Sequence, residues 1–308
     1  PIAGDVGEVV DLDDGADRYV AHLIRTVPEA LNGLRVVLDC AYGAAWRLGP
    51  RAFKEAGADV IALHAEPDGS RINVDCGSTN LTELAVAVVK EGADLGLAFD
   101  GDADRVLAVD ERGEEVDGDR IMGMMALHLH ATGHLKNDRV VATVMTNLGF
   151  RRALEDNGIE IVSAPVGDKF VAQAMVEHGA VLGGEQSGHI IFSEYSTTGD
   201  GILTGLQLAQ ILRTSADPMS KLAHFYEPFP QVLINVRVAS KDGLEAAEEI
   251  WAAVAAAEEG LGDDGRVLVR ASGTEPLVRV MVEATDEALA QRTATELSGV
   301  VTQALRTP

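Results

Sequence analysis

The chain has 308 residues, 46% hydrophobic and 24% charged, with a formal net charge of −24. That length exceeds one ordinary core and predicts two or three domains. The acidic excess excludes sequence-independent binding to nucleic acid or to an anionic membrane surface, and an anionic substrate would need a local basic site against the global field. Aromatic residues make up only 4% of the chain, so its cores must be built from Val, Leu, Ile and Ala. The two cysteines, Cys40 and Cys76, predict no disulfide framework and a reducing, cytoplasmic setting. No signal peptide and no membrane-spanning apolar run is visible. The first residue is Pro1 rather than Met, as expected of a processed chain or an excerpt.

In chain order, residues 1–15 are Gly- and Asp-rich and form a lead-in. The periodicity predicts a helix over 16–25, a strand over 35–39, a helix over 44–56, a strand over 59–63 and a helix over 81–91. Glycines at the ends of these helices, as in Ala56-Gly57-Ala58 and Glu91-Gly92-Ala93, fit left-handed caps that hand the chain to a strand. Alternating strand and helix predicts a mostly parallel sheet covered on both faces.

The next stretch, Leu95-Gly-Leu-Ala-Phe-Asp-Gly-Asp-Ala-Asp-Arg-Val-Leu-Ala-Val109, is expected to be strand, tight loop, strand. Asp100, Asp102 and Asp104 repel one another in one turn unless a cation neutralises them. The expected occupant is Mg²⁺ or a similar hard cation, held by few carboxylates and completed by a phosphate oxygen. Arg105 follows and could meet an anion beside it. A solvated acidic turn is one alternative. An EF-hand fails on Arg105, where Gly is needed, and on the flanking strands. A haloacid-dehalogenase-type nucleophile loop usually carries Thr or Val where Asp104 stands.

The same grammar then restarts. A turn at 111–114 leads to a helix over 118–130, a strand over 139–146, a helix over 148–156, a strand over 159–163, and helices over 168–177 and 201–212. His128, His130 and His134 are expected at the surface rather than as zinc ligands. Lys169, at the start of a helix, could face an anion, or Asp168 could simply cap that helix. Glu185, Gln186, Ser187 and His189, in a Gly-rich turn, offer hydrogen bonds to a polyhydroxylated ligand, the alternative being a polar hairpin without one. Residues 227–230, with two prolines, make a plausible linker.

Beyond it, strands over 232–239, 266–271 and 277–284 and helices over 244–259 and 286–305 predict a small α+β domain. Between its last two strands, Arg270, Ser272, Gly273, Thr274 and Arg279 suit a phosphate cradle, with guanidinium forks, hydroxyls and an accessible amide. An ordinary turn flanked by surface arginines is the alternative. Neither cysteine carries a local nucleophile signature, and no dinucleotide fingerprint or P-loop is present.

The order of these loops is more specific than any one of them. An Asp-Gly-Asp-x-Asp-Arg loop, then Gly-Glu-Gln-Ser-Gly-His, then Arg-x-Ser-Gly-Thr-Glu-Pro resembles the α-D-phosphohexomutase superfamily. Leu38-Asp-Cys-Ala-Tyr-Gly-Ala44 and Cys76-Gly-Ser-Thr79 are also similar to it, and the likeness covers essentially the whole chain. Gln186 with His189 separates it from the phosphoglucomutases, and the branch acting on amino sugars is the nearest.

The resemblance implies an α/β enzyme of three related α/β domains and a C-terminal phosphate-binding domain. It implies exchange of phosphoryl between the 6- and 1-positions of glucosamine through a phosphoserine and a bisphosphate. It implies that Asp100, Asp102 and Asp104 bind Mg²⁺, and that Arg105 lies beside the transferred group. Glu185 and Ser187 would contact sugar hydroxyls, with His189 and Lys169 as further substrate-binding candidates. Arg270, Ser272, Gly273, Thr274 and Arg279 would hold the non-reacting phosphate.

No stretch matches the family's phosphoserine loop, so domains two to four are expected here: a connector over 1–15, α/β domains over 16–114 and 115–226, and a C-terminal domain over 227–308. The missing N-terminal domain would be a required partner, and the chain by itself is expected to lack turnover. Pro165 stands where relatives often place Lys. Competing expectations are a phosphomannomutase or phosphoglucomutase, and a non-catalytic phosphosugar-binding protein.

Overall fold

A computed structural model describes residues 12–272 and 275–305. The predicted phosphate contacts Gly273 and Thr274 lie outside the described residues. In chain order the elements are α1 (Gly15–Arg25), β1 (Arg35–Asp39), α2 (Ala45–Glu55), β2 (Asp59–Leu63), α3 (Thr82–Glu91), β3 (Leu95–Phe99), β4 (Val106–Asp110), β5 (Glu115–Val116) and α4 (Gly118–Ala131). Then come β6 (Arg139–Thr143), α5 (Leu148–Asp156), β7 (Glu160–Ala164), α6 (Asp168–His178), β8 (Leu182–Gly184), β9 (Ile190–Phe192), α7 (Gly201–Thr214) and α8 (Met219–Leu222). The last are β10 (Gln231–Arg237), α9 (Glu248–Leu261), β11 (Gly265–Ala271), β12 (Leu277–Ala284) and α10 (Glu287–Ala304). The chain divides into two compact units, one of residues 1–143 and 162–225, the other of 144–161 and 226–308.

The first unit holds a sheet in the order β2-β1-β3-β4-β5. Here the expectation of a mostly parallel sheet is corrected. β1 pairs in parallel with β2 and β3, but β3 with β4 and β4 with β5 are antiparallel. The acidic turn between β3 and β4 is too short for a crossover, so the two strands form a hairpin. Both are buried along their whole length. Leu84 and Val88 of α3 close one face against Val37, Ala98 and Val109. On the other face a Cβ at Gly205 of α7 would come within 2.9 Å of Leu97 and 3.3 Å of Phe53 of α2, so only glycine lets these helices sit this close. The predicted cap glycine Gly92 is left-handed after α3 (φ 59°).

The second sheet runs β7-β6-β8-β9. Val141, Ala164, Val171, Met175, Ala180 and Ile191 form its core with α6. β8 and β9 are antiparallel, and the Gly-rich turn that joins them is a hairpin.

The other unit is an antiparallel sheet in the order β10-β12-β11, with α10 packed over β10 and β12 and α9 over β11. α5 belongs to this unit. Asn147 caps α5 by accepting from Gly149 N–H (2.8 Å), and it exchanges two 3.0 Å bonds with the backbone of Phe229. The predicted strand over 139–146 ends at Thr143, because the carbonyls of Val144 and Thr146 turn to the Arg266 guanidinium instead of a neighbouring strand. The helix predicted from residue 244 starts at Glu248. Residues 241–247 coil as turns, and the Leu244 carbonyl accepts from the Trp251 indole (3.0 Å) rather than from a helical amide.

Candidate active site

Asp100 directly follows β3 with its side chain out of solvent, Asp104 is half-buried and Asp102 is exposed. Oxygens of all three carboxylates lie within 4.8 Å of one another. Arg105 folds back over Asp100. Its amide donates to Oδ1 (3.1 Å), and Nε and Nη2 lie 2.9 and 2.7 Å from Oδ2. Asp104 Oδ1 is buried without a hydrogen-bond partner, its nearest cation being Arg105 Nε at 3.4 Å. Burial pushes the Asp100 carboxyl up to about 6, with Asp102 and Asp104 adding to the rise and Arg105 opposing it. One cation is not enough for three converging carboxylates. An orphaned carboxylate oxygen and a hard, all-oxygen donor set fit Mg²⁺.

The turn of the second hairpin lies against this loop in the same unit. Val106 N–H donates to Gly188 O (3.1 Å), and Arg105 bridges to His189. Gly188 takes φ +91°, and a Cβ there would come 2.3 Å from Val106 O, so glycine is required at the junction. Ser187 is exposed at the tip. Glu185 Oε1 accepts from Gly167 N–H (3.0 Å), which ties the turn to the start of α6, where Lys169 is exposed. Gln186 reaches Asp117 Oδ2 (3.3 Å), the capping residue of α4. His189 is placed differently from its neighbours in sequence. It is 3% exposed, both ring nitrogens lack a hydrogen-bond partner, and Nε2 lies 3.7 Å from Asp104 Oδ2. It backs the acidic loop rather than facing solvent.

α7 completes the surroundings. Its first amide, Gly201 N–H, donates to Ala103 O (2.9 Å), and Asp200 caps it through Leu203 N–H (2.9 Å). Asp200 also accepts from the Tyr19 hydroxyl at 2.8 Å, and burial beside this carboxylate raises the phenol above its ordinary value.

The other unit carries the second group. Arg270 and Arg279 are direct cross-strand partners on β11 and β12. Burial, and then the Arg279 charge, lowers the Arg270 guanidinium from its ordinary value. Arg279 Nε is buried without a hydrogen-bond partner, and its Nη2 is 3.9 Å from Glu275. Ser272 is buried, with its hydroxyl 3.4 Å from Glu275 N, and the Ser272 carbonyl accepts from Lys241 Nζ (2.6 Å). Like charges set opposite each other destabilise a sheet, and an anion between them reverses the sign.

Two residues with no motif of their own are Asp117, which holds Gln186, and Lys241, which donates to the Ser272 carbonyl. Each acts across a long sequence separation. Cys40 and Cys76 are buried and free. Burial, and then Asp39, pushes the Cys40 thiol up to about 12, which suits neither nucleophile nor redox centre. Among the described residues no helix is long and apolar enough to cross a membrane.

One chain thus carries a three-carboxylate hairpin backed by a Gly-rich hairpin, and a cross-strand arginine pair. Family models match in sequence order. They are phosphoglucomutase/phosphomannomutase alpha/beta/alpha domain II over residues 17–113, domain III over 117–229 and the C-terminal domain over 233–300. The chain belongs to the phosphoglucomutase/phosphomannomutase family. Within it, the chain is 53% identical over 305 residues to phosphoglucosamine mutase of Streptomyces griseus, and 52% identical over 308 residues to that of Frankia alni. These matches cover 99% and 100% of this chain and 68% of each relative.

Among solved structures, a phosphoglucomutase/phosphomannomutase family protein of Burkholderia thailandensis superposes with a TM-score of 0.80 at 24% identity, over 94% of this chain and 64% of that one. N-acetylphosphoglucosamine mutase of Aspergillus fumigatus, solved with GlcNAc-6P and magnesium, gives 0.77 at 22% identity, over 95% of this chain and 66% of that one. The chain thus spans about two thirds of the length of the relatives it matches, and the two structural likenesses speak for the fold.

Proposed function

We infer that this chain supplies the metal-binding, sugar-binding and phosphate-binding parts of a phosphoglucosamine mutase, which interconverts glucosamine 6-phosphate and glucosamine 1-phosphate through a phosphoserine and a bisphosphate intermediate. The observation that carries this reading is the Val106–Gly188 backbone bond. It sets the acidic turn and the Glu185–His189 turn side by side, which supports their serving a cation and a sugar together.

Asp100, Asp102 and Asp104 would hold Mg²⁺, which when bound supplies charge stabilisation for a phosphoryl group in transfer. Arg105 is the cation next to that group, able to exchange Asp100 for a phosphate oxygen. Glu185 and Ser187 take sugar hydroxyls, or in the case of Glu185 the 2-ammonium. His189 supports Asp104 from behind. Lys169 offers an exposed ammonium at the helix tied to Glu185. In the other unit Arg270 and Arg279, with Ser272, Gly273 and Thr274, grip the phosphate that does not react. Ser187 and Ser272 fall in the proposed binding turns and are not offered as the phosphoacceptor. A cytoplasmic setting accords with two unpaired buried thiols.

The test is competition binding followed by a coupled assay. Glucosamine phosphates are expected to bind ahead of glucose and mannose phosphates. Turnover, with catalytic glucosamine 1,6-bisphosphate, is expected only when a family N-terminal domain is supplied. Preference for mannose 1-phosphate would instead favour a phosphomannomutase, and sugar-phosphate binding with no turnover under either condition would favour a binding protein.

A further inference from the structure

Asp39 ends β1 with no solvent exposure. Its Oδ1 accepts from Ala41 N–H (2.9 Å) and lies 2.9 Å from His64 Nδ1. Its Oδ2 accepts from Gly77 N–H (2.9 Å). The far nitrogen of His64 is 3.3 Å from Glu83 Oε2. A carboxylate only accepts, so Nδ1 is the donor toward Asp39. One buried carboxylate therefore gathers three separate pieces of chain: the turn after β1, the residue after β2 and the loop before α3.

Those pieces are strained. Eight non-glycine residues take positive φ among the described residues, and five of them, Ala41, Tyr42, His64, Asn73 and Asp75, lie here. A sixth, Ala103, is in the acidic loop itself. Such conformations persist only where the surroundings over-determine them, and they concentrate at functional sites. Further bonds link the pieces: Tyr42 N–H to His64 O (3.0 Å) and Asn73 N–H to Ala41 O (3.3 Å).

Two of the pieces then bear on the acidic loop. Ala44 N–H donates to Gly101 O (2.8 Å), and a Cβ at Gly43 would stand 2.3 Å from that oxygen. A Cβ on Gly77 would come 2.4 Å from Phe99 O, the carbonyl just before Asp100. A Cβ on Gly101 would meet Ile72 at 2.5 Å and Asn73 at 3.1 Å. Gly101 separates Asp100 from Asp102, so the spacing of two proposed metal ligands is set by turns that Asp39 pins.

We propose that Asp39 is a positioning residue for the metal loop, holding the turns at Ala41–Ala44 and Ile72–Gly77 in the strained form that fixes the backbone between Asp100 and Asp102. This rests on the reading of that loop as the Mg²⁺ site. Asp39→Asn keeps the shape but turns one acceptor into a donor. That donor must then face the Gly77 amide or the Ala41 and His64 donors, and no solvent is at hand to relieve the conflict.

The experiment is Mg²⁺ titration calorimetry on the 308-residue chain, with circular dichroism and urea unfolding alongside. Asp39→Asn is expected to weaken Mg²⁺ binding by about tenfold or more while the chain remains folded, the scale of losing a support behind metal ligands. Met175→Ala, a core truncation on α6 against the other sheet of the unit, is the control. It should lower stability and leave Mg²⁺ affinity unchanged, which a purely structural role for Asp39 would equally predict for Asp39→Asn. If Asp39→Asn does not fold, Gly77→Ala decides, since its Cβ pushes on Phe99 O directly and should weaken Mg²⁺ in the same way. Wild-type Mg²⁺ affinity in the folded Asp39→Asn chain, or in Gly77→Ala where that variant decides, overturns the proposal. Asp102→Asn separates the two ideas: if it binds Mg²⁺ as wild type does, the metal reading fails first and takes this inference with it.

Discussion

Arg270 and Arg279 stand directly opposite each other on neighbouring antiparallel strands, two cations sharing one face of the sheet. A fold that needed only a stable β11–β12 pair would gain by replacing either one.

The first prediction follows from that pairing. Arg270→Ala should lose about 1.5–3 kcal/mol of sugar-phosphate binding, the worth of hydrogen bonds to a charged group. Without ligand the variant should be no less stable than wild type. Inorganic phosphate should raise the melting temperature of the wild type more than that of the variant. Calorimetry and thermal shift measure both, and unchanged phosphate affinity in Arg270→Ala would place the cradle elsewhere.

The second concerns the acidic turn. Asp102 is the exposed member of the three, so Asp102→Ala should change stability by less than about 0.5 kcal/mol while removing Mg²⁺ binding. Calorimetric titration with Mg²⁺ is the measurement. Undiminished binding would return the turn to a solvated acidic hairpin.

The third concerns a buried ion pair. Arg266 Nε lies 2.7 Å from Glu283 Oε2, and Glu283, with no exposure, also accepts from Leu148 N–H (2.9 Å) at the start of α5. Glu283→Ala leaves a mostly buried guanidinium without its counter-charge and a helix amide without its acceptor, and should cost about 3–5 kcal/mol. Replacing both residues by apolar ones should cost less. Urea unfolding of the single and double variants tests the difference, and additive costs would contradict it.

A fourth prediction is a pH dependence. Burial first, and then the neighbouring His134 charge, lowers His128 below its ordinary 6.5. The unfolded chain therefore takes up the proton more readily than the folded one. The stability from a neutral His128 is fully present above 6.5 and is lost as pH falls through the lowered folded value. His128→Gln should shrink the drop in urea midpoint between about pH 7.5 and about pH 5.5, the range an imidazole spans. An equal drop in both chains would refute this.

How far the sequence reaches is visible in single residues. Asp100, Asp102 and Asp104 were legible because like charges at spacing two need an explanation on any fold. Strands β1, β2 and β12 match their predicted spans, since each is a short apolar run between breakers. The left-handed cap at Gly92 was equally local. These features depend on a residue and its near neighbours, and that information is complete in the sequence.

Tertiary structure decided the rest, because the deciding partners are far apart along the chain. Nothing near Asp39 announces that its carboxylate will meet Gly77, thirty-eight positions away. His189 lay among hydrogen-bonding residues of one turn, yet packing of the two hairpins buries it behind Asp104 while Ser187, two places earlier, stays exposed. α5 was an ordinary helix of an alternating pattern until Glu283 of β12 accepted from its first amide and from the Asn147 side chain before it. Periodicity reports which side of an element is apolar. It does not report which distant polar group will satisfy a buried carboxylate, and in this protein those long-range polar pairings set the geometry of the candidate site.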